Sequence, residues 1–586
     1  MIFRAYWPND DAHQLAGDAG WVGVVSAGRP ELLKEGLLSE ARNMRWRQDG
    51  SYGVRPAICG LRWAGPNGAP FLDQHVLRAV RYVHPTTRQV KVLLCLSSGW
   101  IYTVSQGEGA YSFGTLPISG LSEIRFAQVV NGLVAFAVSG GVPYTYVFNH
   151  NSLTWSAPPA PTVPGNEPIP PSRLGMYWQN RLFVLDGRES PERRDTIWVG
   201  DFGYGPDAYQ GSATYQSFRV HSPVEDQIVA LVPFSDSRML VFKRNSVHLI
   251  SEVHGTNEEL VANARVTLVT SEWGAAGTDA VVQLGSDVLV LSATRRALMR
   301  LQVSDTGWVA PAPAAVSDRV QPWFDAINWG YADRAHLTVH ENRVYLAVPT
   351  GTATWNNTLL VYNLLTGEWE SRDDLPVNGF VVCDTGGRQN VLGLVMQLPD
   401  ENEFYGGPVG WLAEFREEEQ DEYPAGASPW WQRRAITGRL RTRGYTLPEY
   451  PESRLRALTW VERGLDSRYE VKVISGSASL SKVVEVREKT GTGWLYPWDR
   501  PARAADNSGN DAMDGARVDY GMRPTGFRLG SGFWGLPRTR HEAWMLRGPA
   551  AASHQVEFAT QRGRAAFFGL RTWLRRSSMR STQSEP

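Results

Sequence analysis

Two kinds of residue in this chain have the types and spacing to do chemistry: paired carboxylates and clustered arginines. Asp373-Asp374 is one acid pair, and residues 417–422 read EEEQDE. Glycoside hydrolysis needs two carboxylates about 5–10 Å apart, one of them raised in pKa by burial. Adjacent acids in a polar loop more commonly stay solvated. His221, His248, His254, His340, His541 and His554 are scattered without an HExxH or other paired spacing, so neither a metal site nor a Ser-His arrangement is expected. Cys59, Cys95 and Cys383 form no CxxC and are too few for a disulfide framework. No P-loop, GxSxG or dinucleotide fingerprint occurs, and GSGFWG at 530–535 reads as a turn. The expectation is a protein that is not an enzyme and carries no metal or cofactor. The Arg-rich stretches GRESPERRD (187–195) and RRALMR (295–300) suit phosphate contact or, more commonly, a surface or interface. Arg295 and Arg296 are interface candidates on that ground.

The elements that must position these residues are strands. A chain of 586 residues is too long for one ordinary core, so two or three domains are expected. It has 57 Gly, 36 Pro and 23 Trp, the turn formers and aromatics that many short strands require. Helical signals are scarce. Leu32, Leu33, Leu37 and Leu38 predict one amphipathic helix within Arg29–Arg45. The start MIFRAYWPNDD lacks an apolar signal core, and no run approaches the about 18–20 apolar residues of a membrane span. A soluble protein made in a reducing cytoplasm is expected. Charge is balanced overall, 59 Lys+Arg against 60 Asp+Glu. From Trp431 onward, however, about 27 basic residues face about 15 acidic ones. The part before Trp431 is correspondingly acidic.

The middle of the chain repeats a two-stroke pattern. The first strokes are VLLCLSSG at Val92, GLVAFAV at Gly132, NRLFVLDG at Asn180, SRMLVFK at Ser237, SDVLVLS at Ser286, NRVYLAV at Asn342 and QNVLGLV at Gln389. Each is followed by a second run: WIYTVS, YTYVFN, TIWVGD, SVHLIS, ALMRLQ, LLVYNLLTGEWES and GWLAEF. The period of about 40–57 residues matches a four-stranded propeller blade. Six or seven irregular blades are expected, with Trp155 and Trp369 wedged between neighbours. After Ala435 the pattern changes. YEVKVIS, SLSKVVEVRE and HQVEFAT read as period-2 strands of a β-sandwich-like domain. The fold class is therefore all-β. The expected division is an N-terminal arm and platform part over 1–72, a β-propeller over 73–425, a C-terminal β-rich platform domain over 426–572, and a flexible basic tail over 573–586.

Within this frame the stretch ARNMRWRQDGSYGVRPAICG, from Ala41 to Gly60, stands out. An Asn, a charged pair, a polar-Gly turn and an xRPxxxG step resemble the amino-terminal signature of the tail nozzle proteins of short-tailed bacteriophages. These are also called tail tubular protein B or tail hub proteins, and the packaged-DNA stabilisation proteins of podoviruses look related. The matching residues are Asn43, Asp49, Gly50, Arg55 and Pro56; the final Gly of the pattern is Ala57 here. Residues 122–149, 180–201, 225–251, 268–301 and 554–570 resemble further segments of that family in the same order.

The resemblance implies a virion tail protein, six copies of which form a tube below the portal and adaptor. DNA is retained by that tube and leaves through it. It implies partners: the chain itself as a homohexamer, an adaptor or portal-side protein, tail fibres or tailspikes, a distal needle or plug, and double-stranded DNA passing without sequence specificity. It also implies a platform built from the chain ends with the propeller protruding between them. A conduit should not hold DNA tightly, and an acidic propeller body suits that. Arg45, Arg47 and Arg55 are expected to pair with acids on the adjoining domain or subunit, and Arg55-Pro56 to end a strand. Two other readings stay open: a glycan-binding or receptor-binding propeller of a phage tail, with aromatics and acids on one face, and a cellular scaffold propeller.

Overall fold

The structure is a computed structural model. It describes residues 13–486 and 539–576, less 61–70, 73, 106–108, 131, 150–151, 159–167, 188–194, 203–216, 222–225, 304–307, 386–387, 399–407, 419, 425–430, 448–451 and 545–549. GSGFWG, most of GRESPERRD and residues 577–586 lie outside the described residues. Among the described residues, no helix is long and apolar enough to cross a membrane.

Seven four-stranded antiparallel units follow one another along the chain. Blade 1 spans Val76–Thr115, blade 2 Leu121–Ser156, blade 3 Gly175–Arg219, blade 4 Ile228–Thr270, blade 5 Val281–Pro311 and blade 6 His336–Asp373. Blade 7 takes three strands from Val377–Arg416 and its fourth, Ala57–Gly60, from near the chain start. The seven first strokes of the repeat are the second strands of the blades, and the seven second runs are the third strands, the sixth running on into the fourth strand Glu368–Asp373. These strands are apolar because both their faces are covered, as in Gly132–Ser139, where seven of eight residues are buried. Each gap between blades holds an apolar core, and the one between blades 5 and 6 runs on into the platform's. Trp155 sits in the core between blades 1 and 2, beside Phe126 and Phe148. Trp369 meets Trp323 and Phe324 edge-on, and its Nε1 donates to the Val316 carbonyl at 2.9 Å. The ring closes where the first strand of blade 7 meets the first strand of blade 1.

The chain ends build the platform. Its spine is a pair of 23-residue strands, Ser453–Ser475 and His554–Arg576, antiparallel along their whole length. His13–Asp18 and Arg439–Thr442 add to the second of these, and Ala478–Val486 and Thr539–Trp544 to the first. The ribbon does not run straight. Its register shifts at Val461/Glu462 and again near Arg468, and bulges bend the bulged strand. Trp460 pairs with Leu570, while Phe558 pairs with Val471, eleven residues further along. A straight ribbon would hold the two rings about 36 Å apart, yet their centroids are 6.0 Å apart. The ribbon therefore folds onto itself, with Phe558, Phe567, Tyr469 and Trp460 between the layers. This is a sandwich made by bending one strand pair.

Propeller and platform share a sheet. The outer strand of blade 6, Glu368–Asp373, is extended by Gly23–Val24, then by Leu37–Arg42, and so into the platform. Three expectations change here. The helix over Arg29–Arg45 does not form: a short 3-10 turn, Pro30–Leu32, is followed by Gly36 at φ +82° and the strand Leu37–Arg42. Sheet pairing to Arg439–Thr442 overrides the leucine spacing, and Leu32 is left exposed. Ala57–Gly60, expected in the platform, belongs to the ring. Trp573–Arg576, expected in a flexible tail, is strand paired to Ser453–Leu455 and beyond.

Glu462 sits at the bend, fully buried. Burial pushes its carboxyl up from an ordinary 4.5 to about 7, opposed only in part by a hydrogen bond with Tyr469. Tyr469 in turn accepts from Trp460 Nε1 at 2.9 Å. The folded state thus holds a proton that the unfolded chain releases, so this group's contribution falls as pH rises from about 4.5 to about 7 and then levels off. Glu462→Gln should unfold at the same urea concentration as the parent at pH 4. It should be about 2–3 kcal/mol more stable than the parent at pH 8. Urea titrations at both pH values check this.

Candidate functional site

The signature stretch forms a buried junction where platform, blade 6 and blade 7 meet. Leu37–Arg42 runs in the platform sheet. Asn43 then turns the chain at φ +54°, a left-handed conformation that Asn tolerates better than most residues. Its Nδ2 donates to the Thr437 carbonyl at 2.9 Å. Its Oδ1 accepts from the Asp374 amide at 3.2 Å and from Arg55 Nε at 3.3 Å. Its backbone carbonyl accepts the Arg55 amide at 3.0 Å. The hairpin Met44–Trp46/Tyr52–Val54 follows and lies against Ala566 and Phe567. Asp49 and Gly50 make its turn. Asp49 Oδ1 accepts from Ser51 Oγ at 2.6 Å and from the Ser51 amide at 3.1 Å, and Gly50 adopts φ +80°. Their part is conformational. The Arg47 guanidinium packs over Gly53 of the same hairpin.

Arg45 and Arg55 go inward. Arg45 is 5% exposed and pairs with Asp373, the last residue of blade 6's outer strand. The other Asp373 oxygen accepts from Ser371 Oγ at 2.6 Å, and Ser371 Oγ accepts the Met44 amide at 3.2 Å. Next to it Glu370, 1% exposed, accepts the Trp46 amide at 2.6 Å and Arg343 Nε at 2.8 Å. Arg55, 2% exposed, makes a two-pronged pair with Asp421, with NH1 to Oδ1 at 2.8 Å and NH2 to Oδ2. Asp421 Oδ1 also caps the Ile58 amide at 2.8 Å, and the Pro56 carbonyl accepts from Arg55 NH1 at 3.0 Å. Burial works against both guanidinium charges. The paired carboxylates outweigh it and raise both pKa values above the ordinary arginine value. The acid pairs considered for catalysis are thus engaged by arginines: Asp373 by Arg45, Asp374 by Arg42, Asp421 by Arg55 and Glu422 by Arg433. The partners Glu370, Ser371, Arg343 and Asp421 carry no signal in the sequence beyond the acid runs themselves. Arg295 and Arg296 lie far from this junction in the blade 5 turn. Arg295 pairs with Glu272 at the surface, and Arg296 occupies the turn at φ +53°.

Among the described residues two histidines, both buried, contact serine hydroxyls. His554 Nδ1 is 2.6 Å from Ser475 Oγ, and its Nε2 is 3.0 Å from the Ser453 carbonyl. His248 Nε2 is 3.2 Å from Ser246 Oγ, which donates to Asp226 at 2.9 Å. In the second set the serine lies between acid and imidazole, so the imidazole is not oriented as a base by the carboxylate. No group of three His, Cys, Asp or Glu side chains suited to a metal ion occurs among the described residues.

A third cluster lies on the propeller axis. Asp279, just before blade 5, accepts from Arg78 of blade 1 at 2.6 Å and from Arg125 of blade 2 at 2.9 Å. Burial disfavours the Asp279 carboxylate, but the two arginines outweigh it and hold its pKa well below the ordinary value. Blade 5 stands across the ring from blades 1 and 2, so this bridge spans the axis. Beside it a cavity of about 250 Å³ opens among the loops of blades 2 to 6, with Arg125, Glu123, Arg173, Arg244 and Asp333 in its wall. No aromatic side chain is among its described lining residues.

No protein-family profile and no curated protein matched the chain. Among solved structures it is similar to one described as the crystal structure of BBS1N in complex with ARL6DN, soaked with mercury. The identity is 12%, the match covers 62% of this chain and 98% of that one, and the TM-score is 0.34.

Removing one partner of a buried pair strands the other charge. Arg55→Met should destabilise the protein by about 3–5 kcal/mol, and Arg55→Met/Asp421→Leu should regain much of that loss. Denaturant titration of the two singles and the double checks it; additive losses would show that the pair is not coupled. Asp279→Asn should cost less, about 1–2 kcal/mol, because Asp279 and Arg78 are partly exposed, read as a lowered thermal midpoint.

Proposed function

We propose that this chain is a structural subunit of a short-tailed bacteriophage tail. In this reading it is a nozzle protein whose six copies form a tube below the portal and adaptor, and phage DNA is held by that tube and released through it. The observation that carries the reading is the nesting of the domains. The chain ends pair with each other to make the platform, as His13–Asp18 does with Leu570–Arg575, and the propeller is inserted between them. That is the arrangement the family resemblance implies. The signature residues Asn43, Arg55 and Pro56 lie at the crossing from platform to propeller.

The closed axis shapes the proposal. The major groove of a DNA duplex alone is about 12 Å wide, and the propeller axis is spanned by ion pairs at 2.6 and 2.9 Å. The bore is therefore assigned to the space between copies, with the propellers standing around it. A ring of identical subunits requires a head-to-tail interface that closes. The basic excess after Trp431 is assigned to the platform's contact with an acidic neighbour, and the acidic propeller body to weak contact with DNA.

Native mass spectrometry and negative-stain imaging of the purified chain, alone and with the portal–adaptor complex of the same genome, test this. A six-fold tube seated on the adaptor is the expected result. No association in either state overturns the reading.

A further inference from the structure

The cavity beside the propeller axis is unused by the nozzle reading, and its charges are not all matched. Arginines from three successive blades line it: Arg125 on blade 2, Arg173 leading into blade 3 and Arg244 in blade 4. Arg125 spends its two terminal nitrogens on Glu123 and Asp279, while its buried Nε has no hydrogen-bond partner. Arg173 makes one bond, to the Gly141 carbonyl at 3.1 Å, and has no acid partner. Among the described residues Arg244 has no acid partner either, and Asp333, also in the lining, pairs with no cation. Arg125 is also the residue bridged to Asp279, so the cavity ends at the axial bridge.

We propose that this axial mouth is a binding pocket for a small sugar acid, a single carboxylate on a hydroxylated ring. A guanidinium presents a planar fork that matches a carboxylate, and two such forks here lack an anion. A dianionic phosphate fits less well, because the acids Glu123 and Asp333 also line the space. Those carboxylates accept the hydrogens of ring hydroxyls. An acidic peptide side chain carries the same charge but would bring only methylenes to them. The volume of about 250 Å³ suits one such ring, held by polar groups at its edge rather than by stacking. The inference does not depend on the nozzle reading, and either stands if the other fails.

The test is calorimetric titration of the full chain with D-glucuronate, with D-glucose as its neutral counterpart, and with the blocked dipeptide N-acetyl-Glu-Glu-amide. The variants Arg173→Ala and Arg244→Ala are titrated beside the parent. Both arginines are exposed, so the thermal midpoint should not move. Glucuronate should bind, glucose at least about tenfold more weakly, and each variant should lose about tenfold in affinity, the scale of a charged hydrogen bond. Absence of glucuronate binding into the millimolar range, equal binding of glucose, or unchanged affinity in both variants overturns the site. Tighter binding of the dipeptide than of glucuronate overturns its assignment to a sugar acid.

Discussion

A propeller must close its ring, and here the closing strand comes from the wrong end of the chain. Six blades are built from consecutive residues, but blade 7 stops at three strands until Ala57–Gly60 joins Val409–Arg416. The residues just before that strand are already woven into the platform. Leu37–Arg42 pairs with Arg439–Thr442, and the hairpin after it lies on Ala566 and Phe567. Ring closure and platform assembly are therefore one event. The contact that seals it, Arg55 to Asp421, joins residues 366 apart in sequence. Long-range pairings of this kind make folding slow, because loop entropy is spent before the contact forms.

The junction is polar and dry at once. Asp373, Asp421 and Glu370 each take an arginine, and each also accepts a backbone amide or a hydroxyl. A buried ion pair gains little over an apolar contact of the same shape, but a mispaired one is strongly unfavourable. Such a junction discriminates between registers more than it adds stability. A one-residue slip of the hairpin Met44–Val54 would part Arg45 from Asp373 in a space closed to water. Leu37–Arg42 continues the sheet of blade 6, so a fixed register there also fixes how the propeller meets the platform.

The axis carries the same chemistry for a different end. Asp279 reaches from the lead-in to blade 5 to arginines on blades 1 and 2, which ties the propeller together across its ring. Its outer edges are treated unequally. Blade 6 is extended by the chain's own Gly23–Val24, and the Ile58 amide of blade 7 is capped by Asp421. The outer strand of blade 4 instead leaves Val266 and Leu268 exposed.

What could be read in the sequence follows from where a strand sits. The second and third strands of all seven blades are visible as apolar runs because both their faces are covered by neighbouring blades. Most first and fourth strands are half-polar, like Leu121–Val129 and Arg265–Thr270, and merge with loops. The all-β class, the repeat and the change of character after Ala435 thus belong to the sequence by itself, since composition and periodicity are local properties. Asp49-Gly50 as a turn was legible for the same reason, while Asn43 was singled out only by the family resemblance. The leucines at 32, 33, 37 and 38 mimicked a helix because spacing says nothing about a waiting sheet edge. Only the tertiary structure decided that Ala57–Gly60 closes the ring, that Arg55 meets Asp421, that the ribbon Ser453–Ser475/His554–Arg576 folds back on itself, and that Asp279 spans the axis. Each of these joins residues more than about a hundred positions apart, or bends a strand at a bulge. Such contacts are selected by the energy of the assembled whole, which no local window of sequence contains.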